Sequence, residues 1–168
     1  MPIVHFINPL HQLVLTSSTG EVTRADVEAA FEELRKDLDF KPTFCQLSDL
    51  TQVSKLSLSS EDIYALSSSD PFSKTAMRAV VARAGGAAYG IARMYQGILE
   101  SDQFKVFDSI LNAIAWLGLE VTDLLPASTR GALQVRTKEL DSQSPVTGIP
   151  ASALKSFCGP AKRKGAGE

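Results

Sequence analysis

Cysteine and histidine are scarce in this sequence, and their scarcity excludes several kinds of site. The 168 residues include only Cys45, Cys158, His5 and His11 as members of these two types. The cysteines match neither a disulfide framework nor the spacing of a zinc site, and no acidic cluster completes a metal-binding set beside the histidines. A Gly-x-Ser-x-Gly elbow and the glycine-rich phosphate-binding motifs are also missing. We therefore expect no metal, no other cofactor and no enzymatic activity.

Long apolar runs and a strong charge of one sign are missing as well. No apolar run approaches the ~20 residues that cross a bilayer, and the first residues do not have the pattern of a signal peptide. The net charge is −2, whereas binding to nucleic acid or to anionic lipids calls for a basic surface. These features predict a cytoplasmic protein that binds neither nucleic acid nor membranes.

The remaining composition is that of a globular protein. Hydrophobic residues make up 44% and charged residues 21%, and the length fits one domain. After about Pro126 the residues Ser, Thr, Gly and Pro accumulate. This change predicts a folded domain over residues 1–125 and a flexible C-terminal tail over residues 126–168.

Strands and helices alternate along the predicted domain. Strands over residues 3–7 and 12–16 flank a turn and are predicted to pair antiparallel. Further strands are predicted over 43–47, 76–83 and 104–107, and helices over 23–38, 59–70, 87–100 and 110–117. The order β-β-α-β-α-β-α-β-α predicts a mixed, mostly parallel five-stranded sheet with flanking helices.

The first of these helices has the clearest signals. The hydroxyl of Thr23 is expected to accept the backbone N–H of Asp26 and so to begin the helix. One face carries an apolar stripe, which predicts that this face packs on the sheet. The stripe consists of Val27, Ala30, Phe31, Leu34 and Leu38.

A hydroxyl-rich segment follows the predicted middle strand. Asp49 and Thr51 lie just after that strand, at the sheet edge where ligands and switches gather in open α/β sheets. With Ser54 and Ser57 they lead into a helix, whose positive end would attract a phosphate on one of these hydroxyls. The same hydroxyls are equally suited to act as caps and turn residues.

Two further groups of residues are candidates for binding. Gly85 and Gly86, supplemented by Arg83, stand between a strand and a helix, where phosphates bind helix N-termini; glycine pairs also serve simply as turns. Large side chains beside or off the apolar stripes of two helices suggest a ligand pocket or a partner surface, although helices buried more than halfway round would place them similarly. These side chains are Tyr89, Met94, Tyr95 and Trp116.

Three short segments resemble the STAS superfamily, in particular the bacterial SpoIIAA-like proteins. They are Gly20-Glu21-Val22-Thr23, Leu47-Ser48-Asp49-Leu50-Thr51, and Val106-Phe107-Asp108 followed by Ala115-Trp116-Leu117. The resemblance covers roughly residues 3–120. It implies a non-catalytic binding or signalling module. In some members a serine before the second helix is phosphorylated to switch partner binding, and others bind lipids or other hydrophobic small molecules.

Three functions remain open from the sequence. The first is a regulatory or protein-interaction module of STAS-like fold, with Thr51, Ser54 and Ser57 as the segment that would carry a switch. The second is a carrier or sensor of a hydrophobic small molecule. The third is an enzyme that uses strand-end carboxylates, Asp49 or Asp108. A protein partner is expected in the first case, and a homodimer would be compatible with the apolar helices.

Overall fold

The structure, a computed structural model, describes residues 2–124, so the predicted tail lies outside the described residues. The strands are β1 (Ile3–Asn8), β2 (Leu13–Thr23), β3 (Cys45–Ser57), β4 (Arg78–Val81) and β5 (Phe104–Phe107). The helices are α1 (Arg24–Lys36), α2 (Ser60–Ser68), α3 (Ala87–Leu99), α4 (Ile110–Trp116) and a final 3-10 turn, Val121–Leu124. None of these helices is both long and apolar enough to cross a membrane.

The five strands form one sheet in the order β1-β2-β3-β4-β5. β1 pairs antiparallel with β2, and every other pair is parallel. Each parallel neighbour is reached through a helix, as such connections require. The predicted fold class, a mixed and mostly parallel five-stranded sheet with flanking helices, is confirmed.

The sheet is covered unequally on its two faces. Because paired residues share a face, Val14, Gln46, Arg78 and Phe104 all point to the side on which α1, α2 and α3 pack, which we call the three-helix face. The opposite side, the α4 face, buries an apolar cluster between the strands and α4. This cluster contains Leu13, Leu47, Ala79, Val81, Ala113, Ile114 and Leu117.

β2 and β3 are longer than the sequence predicted. They stay paired through Thr23 and Ser57, beyond the ends of β1 and β4, with two register shifts on the way. The expectation that Asp49-Leu50-Thr51 ends the middle strand is therefore wrong. The pairing of β3 with the extended β2 overrides the local turn signal, and Lys55 Nζ lies 2.7 Å from Glu21 Oε1 across this two-stranded extension.

α1 begins as predicted. The backbone N–H of Asp26 donates to Thr23 Oγ1, and the N–H and hydroxyl of Thr23 both donate to Asp26 Oδ2 at 2.8 and 2.6 Å. These bonds lower the pKa of Asp26. Ala30, Phe31 and Leu34 are buried as expected. The prediction that Leu38 belongs to the buried stripe is wrong, because the helix ends at Lys36 and Leu38 is 99% exposed.

We expect Thr23→Ala to destabilise the domain by about 0.5–2 kcal/mol, because α1 then begins without its side-chain cap. The free energy of unfolding from urea titrations monitored by circular dichroism measures this loss. Thr43→Ala is the matched control, since Thr43 is exposed and lies outside the helices and strands. Equal stability of the two variants would contradict the role assigned to the cap.

Candidate functional site

A cavity of about 140 Å³ lies between the three-helix face of the sheet and the helices that cover it. Its roof is apolar and comes from all three helices and from the extension of β3. The roof residues include Val27, Phe31, Leu34, Leu56, Leu66 and Ile91. Because hydrocarbon and aromatic groups dominate this roof, it favours an apolar occupant.

The floor of the cavity is polar, unlike the roof. His5, Thr16 and Ser48 stand side by side on β1, β2 and β3 because they are register partners on the same face. The neighbouring positions Ser18, Gln46 and Arg78 line the floor as well. A run of polar side chains therefore crosses the centre of a sheet face that is covered by helices.

Arg78 is the most unusual of these floor residues, because it is charged and only 7% exposed. Its Nη1 donates to the carboxylate of Asp70, and its Nε donates to Gln46 Oε1 at 2.9 Å. The guanidinium carbon lies 4.5 Å from the ring centroid of Phe72 and 5.2 Å from that of Phe104. The charge is thus neutralised by one carboxylate and flanked by two aromatic rings.

Asp70, just after α2, joins this arginine to α3. Its Oδ2 accepts the hydroxyl of Tyr95 as well as the guanidinium, and its Oδ1 accepts the N–H of Phe72 at 2.9 Å. Burial, and then the negative charge of Asp70, raise the pKa of Tyr95. Tyr95 therefore stays protonated and acts as a hydrogen-bond donor.

The network continues across the sheet through Gln46. Its Nε2 donates to Thr16 Oγ1 at 3.1 Å, while its carbonyl oxygen accepts from Arg78. Side chains from β2, β3, β4, α3 and the segment after α2 are thereby connected in one chain of hydrogen bonds. We call Thr16, Gln46, Asp70, Arg78 and Tyr95 the buried polar network.

Of the four side chains predicted to bind a ligand or partner, only Tyr95 lines this cavity. Tyr89 is half-buried and Met94 is 42% exposed, and neither is among the lining residues. Trp116 packs against Phe107 on the α4 face, with ring centroids 5.7 Å apart. The structure therefore separates these four residues instead of gathering them in one site.

Two of the three predicted anion-binding residues line a second groove, of about 270 Å³. Arg83 and Gly86 line it at the N-terminus of α3, where no side chain caps the helix. Gly85, with φ +75°, forms the turn between them. Ser54 of the predicted switch segment lines the same groove from β3, so two predictions made separately meet in one place.

The backbone of Thr51 and the hydroxyl of Ser57, in the predicted switch segment, are each hydrogen-bonded to a nearby carboxylate. The N–H of Thr51 donates to Asp49 Oδ1 at 2.8 Å, and Ser57 Oγ donates to Glu21 Oε1 at 2.8 Å. Ser59, directly before α2, caps that helix together with Asp62. Ser54 is the exposed member of the three predicted switch residues.

The two histidines do not share a site. His5 lines the cavity, whereas His11 Nδ1 lies 3.4 Å from Asp123 Oδ1 near the turn between β1 and β2. Within residues 2–124 no group of three or more His, Cys, Asp or Glu side chains is placed to hold a metal ion. Asp108 is exposed just after β5, away from the cavity lining.

The sequence did contain a signal for the residues that were missed. Arg78 and Gln46 interrupt apolar strands, and a polar side chain within a buried strand needs a partner in the interior. Tracing that requirement would have singled out both residues. The partners themselves, Asp70 and Thr16, are distant in sequence and become visible only once the strands are paired.

Two solved structures are similar to this chain. No protein-family model and no curated protein matches the chain. An uncharacterised protein of the DUF3478 family with a SpoIIAA-like fold, from Shewanella loihica PV-4, is 22% identical, with a TM-score of 0.49 over 68% of this chain and 93% of that one. An anti-sigma factor antagonist from Mycobacterium paratuberculosis is 18% identical, with a TM-score of 0.47 over 68% and 92% of the two chains.

We expect Arg78→Met or Asp70→Asn alone to destabilise the domain by about 3–5 kcal/mol, because each leaves one buried partner without its counterpart. The double variant should lose less than the sum of the two, which a double-mutant cycle of urea unfolding measures. Lys55→Met, which breaks the exposed pair with Glu21, is the control and should change stability little. Additive losses in the double variant would contradict the coupling of Arg78 and Asp70.

Proposed function

We propose that this domain is a non-enzymatic module that holds a small hydrophobic molecule, as a carrier or a sensor. The observation that carries the proposal is the cavity of about 140 Å³ with an apolar roof beneath α1, α2 and α3. Protein interiors are normally packed with few voids larger than a water molecule. An apolar cavity of roughly 150 Å³ is large enough to bind a benzene-sized ligand.

The chemistry of the cavity supports binding more than catalysis. A general acid or base works best with a pKa near the working pH, whereas burial moves the pKa of Tyr95 further from neutrality. Arg78 and Asp70 neutralise each other. The strand-end carboxylates of the enzyme hypothesis, Asp49 and Asp108, are not among the residues that line the cavity.

We expect toluene to raise the melting temperature of the wild-type domain, because a ligand that binds only the folded state stabilises it. Ala92→Leu should abolish this rise, since Ala92 is 6% exposed and lines the cavity, so a larger side chain occupies ligand space. Differential scanning calorimetry with and without toluene measures both effects.

Ala115→Leu is the matched control, because it makes the same change on the exposed side of α4 and should keep the full response. Native mass spectrometry of the gently purified chain adds a second readout, in which a bound molecule appears as extra mass. An equal toluene response in Ala92→Leu and wild type would overturn the assignment of the ligand to this cavity.

A second function, regulation of a protein partner, is favoured by the groove at the N-terminus of α3. Ser54, Arg83 and Gly86 line this groove together, and a phosphate on Ser54 would face a positive helix end and a guanidinium. We propose Ser54 as the position at which a negative charge would alter the surface presented to a partner.

We expect Ser54→Asp to be more stable than the uncharged Ser54→Asn by about 0.3–1 kcal/mol at low salt, because only the aspartate is attracted by the helix end. The difference should shrink in an Arg83→Ala background and in 1 M salt, where surface charges are screened. Urea unfolding of the four variants measures it. If Ser54→Asp exceeds Ser54→Asn in stability by the same amount with and without Arg83, this arginine does not interact with the charge at position 54.

A further inference from the structure

We propose that the ligand is a neutral molecule with an apolar body and one hydrogen-bonding group, such as a phenol, an alcohol or a ketone, and that Ser18 and Ser48 bind that group. The inference rests on the proposed binding function and specifies the chemical class of its ligand. It follows from a difference among the polar side chains of the cavity floor, since some are hydrogen-bonded to other side chains and two serines are not.

The hydroxyls of Ser18 and Ser48 have no protein partner among residues 2–124. Ser18 is 2% exposed and Ser48 is 9% exposed, and both line the cavity. No hydrogen bond within the described part of the chain involves either side chain, although their neighbours Thr16 and Gln46 are bonded to each other. No side-chain nitrogen or oxygen atom that is itself sealed from solvent lacks a partner within residues 2–124. These two hydroxyls are therefore open to the cavity, where they can bind water or a ligand atom.

The two serines are diagonal neighbours on the three-helix face, beside a register shift between β2 and β3. Ser48 is the register partner of Thr16 on the neighbouring strand, and Ser18 lies two residues further along the same strand and face as Thr16. Neighbouring strands are roughly 5 Å apart, and residues i and i+2 of a strand are roughly 7 Å apart. The Cα atoms of these diagonal neighbours are therefore roughly 8 Å apart. A hydroxyl or carbonyl in the space between them can reach the hydroxyl of either serine, while the apolar body points to the helices.

The charges around the cavity favour a neutral ligand over a carboxylate. Arg78 is the cation of the cavity floor, and its charge is already neutralised by Asp70. A carboxylate would therefore enter a largely apolar space without a free counter-charge, which is costly. The serine hydroxyls have no such requirement, because they can act as donors or acceptors for a neutral group.

Phenol and toluene are suitable probes, since they differ in a hydroxyl against a methyl group on the same ring. We expect Ser18→Ala and Ser48→Ala each to lower the ratio of phenol affinity to toluene affinity by about 2- to 10-fold, the effect of one hydrogen bond. Isothermal titration calorimetry at pH 8 measures the ratio. Benzoate should bind at least about tenfold more weakly than phenol, because of its unpaired charge.

Ser17→Ala is the matched control, because Ser17 is the neighbour of Ser18 on β2 and points to the α4 face. The ratio of phenol affinity to toluene affinity in Ser17→Ala should equal that of wild type. Without ligand, Ser18→Ala and Ser48→Ala should melt no lower than wild type, since each removes a hydroxyl that has no protein partner. A clear fall in melting temperature would instead assign these hydroxyls a structural role and overturn the proposal.

The outcomes separate this inference from the function on which it rests. If wild type binds neither phenol nor toluene, the proposed binding function itself fails. If both bind and the ratio is unchanged in Ser18→Ala and Ser48→Ala, the cavity is a binding site but the serines do not select its ligand. Benzoate binding as tight as phenol binding would overturn the preference for a neutral group.

Discussion

The buried ion pair between Arg78 and Asp70 is the constraint on which the rest of the site depends. A guanidinium in the middle of a covered sheet face is tolerated only if its charge and its donors are matched, and Asp70, Gln46 and two flanking aromatic rings provide this. Meeting that requirement fixes the segment after α2 and, through Tyr95, the middle of α3. The positions of two roof elements are therefore set by a polar interaction at the floor.

The same arrangement explains why the cavity points to the binding of a ligand. The network gives most polar side chains of the floor a partner, yet it leaves an apolar space and two serine hydroxyls beside it. A cavity in the interior reduces stability, and a larger side chain at a position such as Ala92 would remove that cost. Retaining the cavity is consistent with the proposed binding of a small molecule there.

The order of elements could be predicted from the sequence because each strand contains a short apolar run and two of the helices begin with a side-chain cap, at Thr23 and Ser59. β5 was predicted with its observed bounds. The length of β3 could not be predicted, since Asp49 and Thr51 are typical of a turn, and only pairing with the extended β2 keeps them in a strand. Of the binding residues that the sequence suggested, Tyr95 alone lines the cavity. The serines of the floor could not be singled out, because they resemble solvent-facing strand residues until the helices that cover them are placed.

The two proposed sites share elements of the fold, and this bears on how a carrier could also be a regulator. Leu50 and Leu56 of β3 line both the cavity and the groove, and α3 contributes its middle to the first and its N-terminus to the second. A ligand that shifts α3 or the β3 extension would thus change the groove beside Ser54. By thermodynamic linkage a charge at Ser54 would then change ligand affinity by the same factor. Binding and regulation are therefore compatible in this fold, and the shared segments of β3 and α3 are where the two would be coupled.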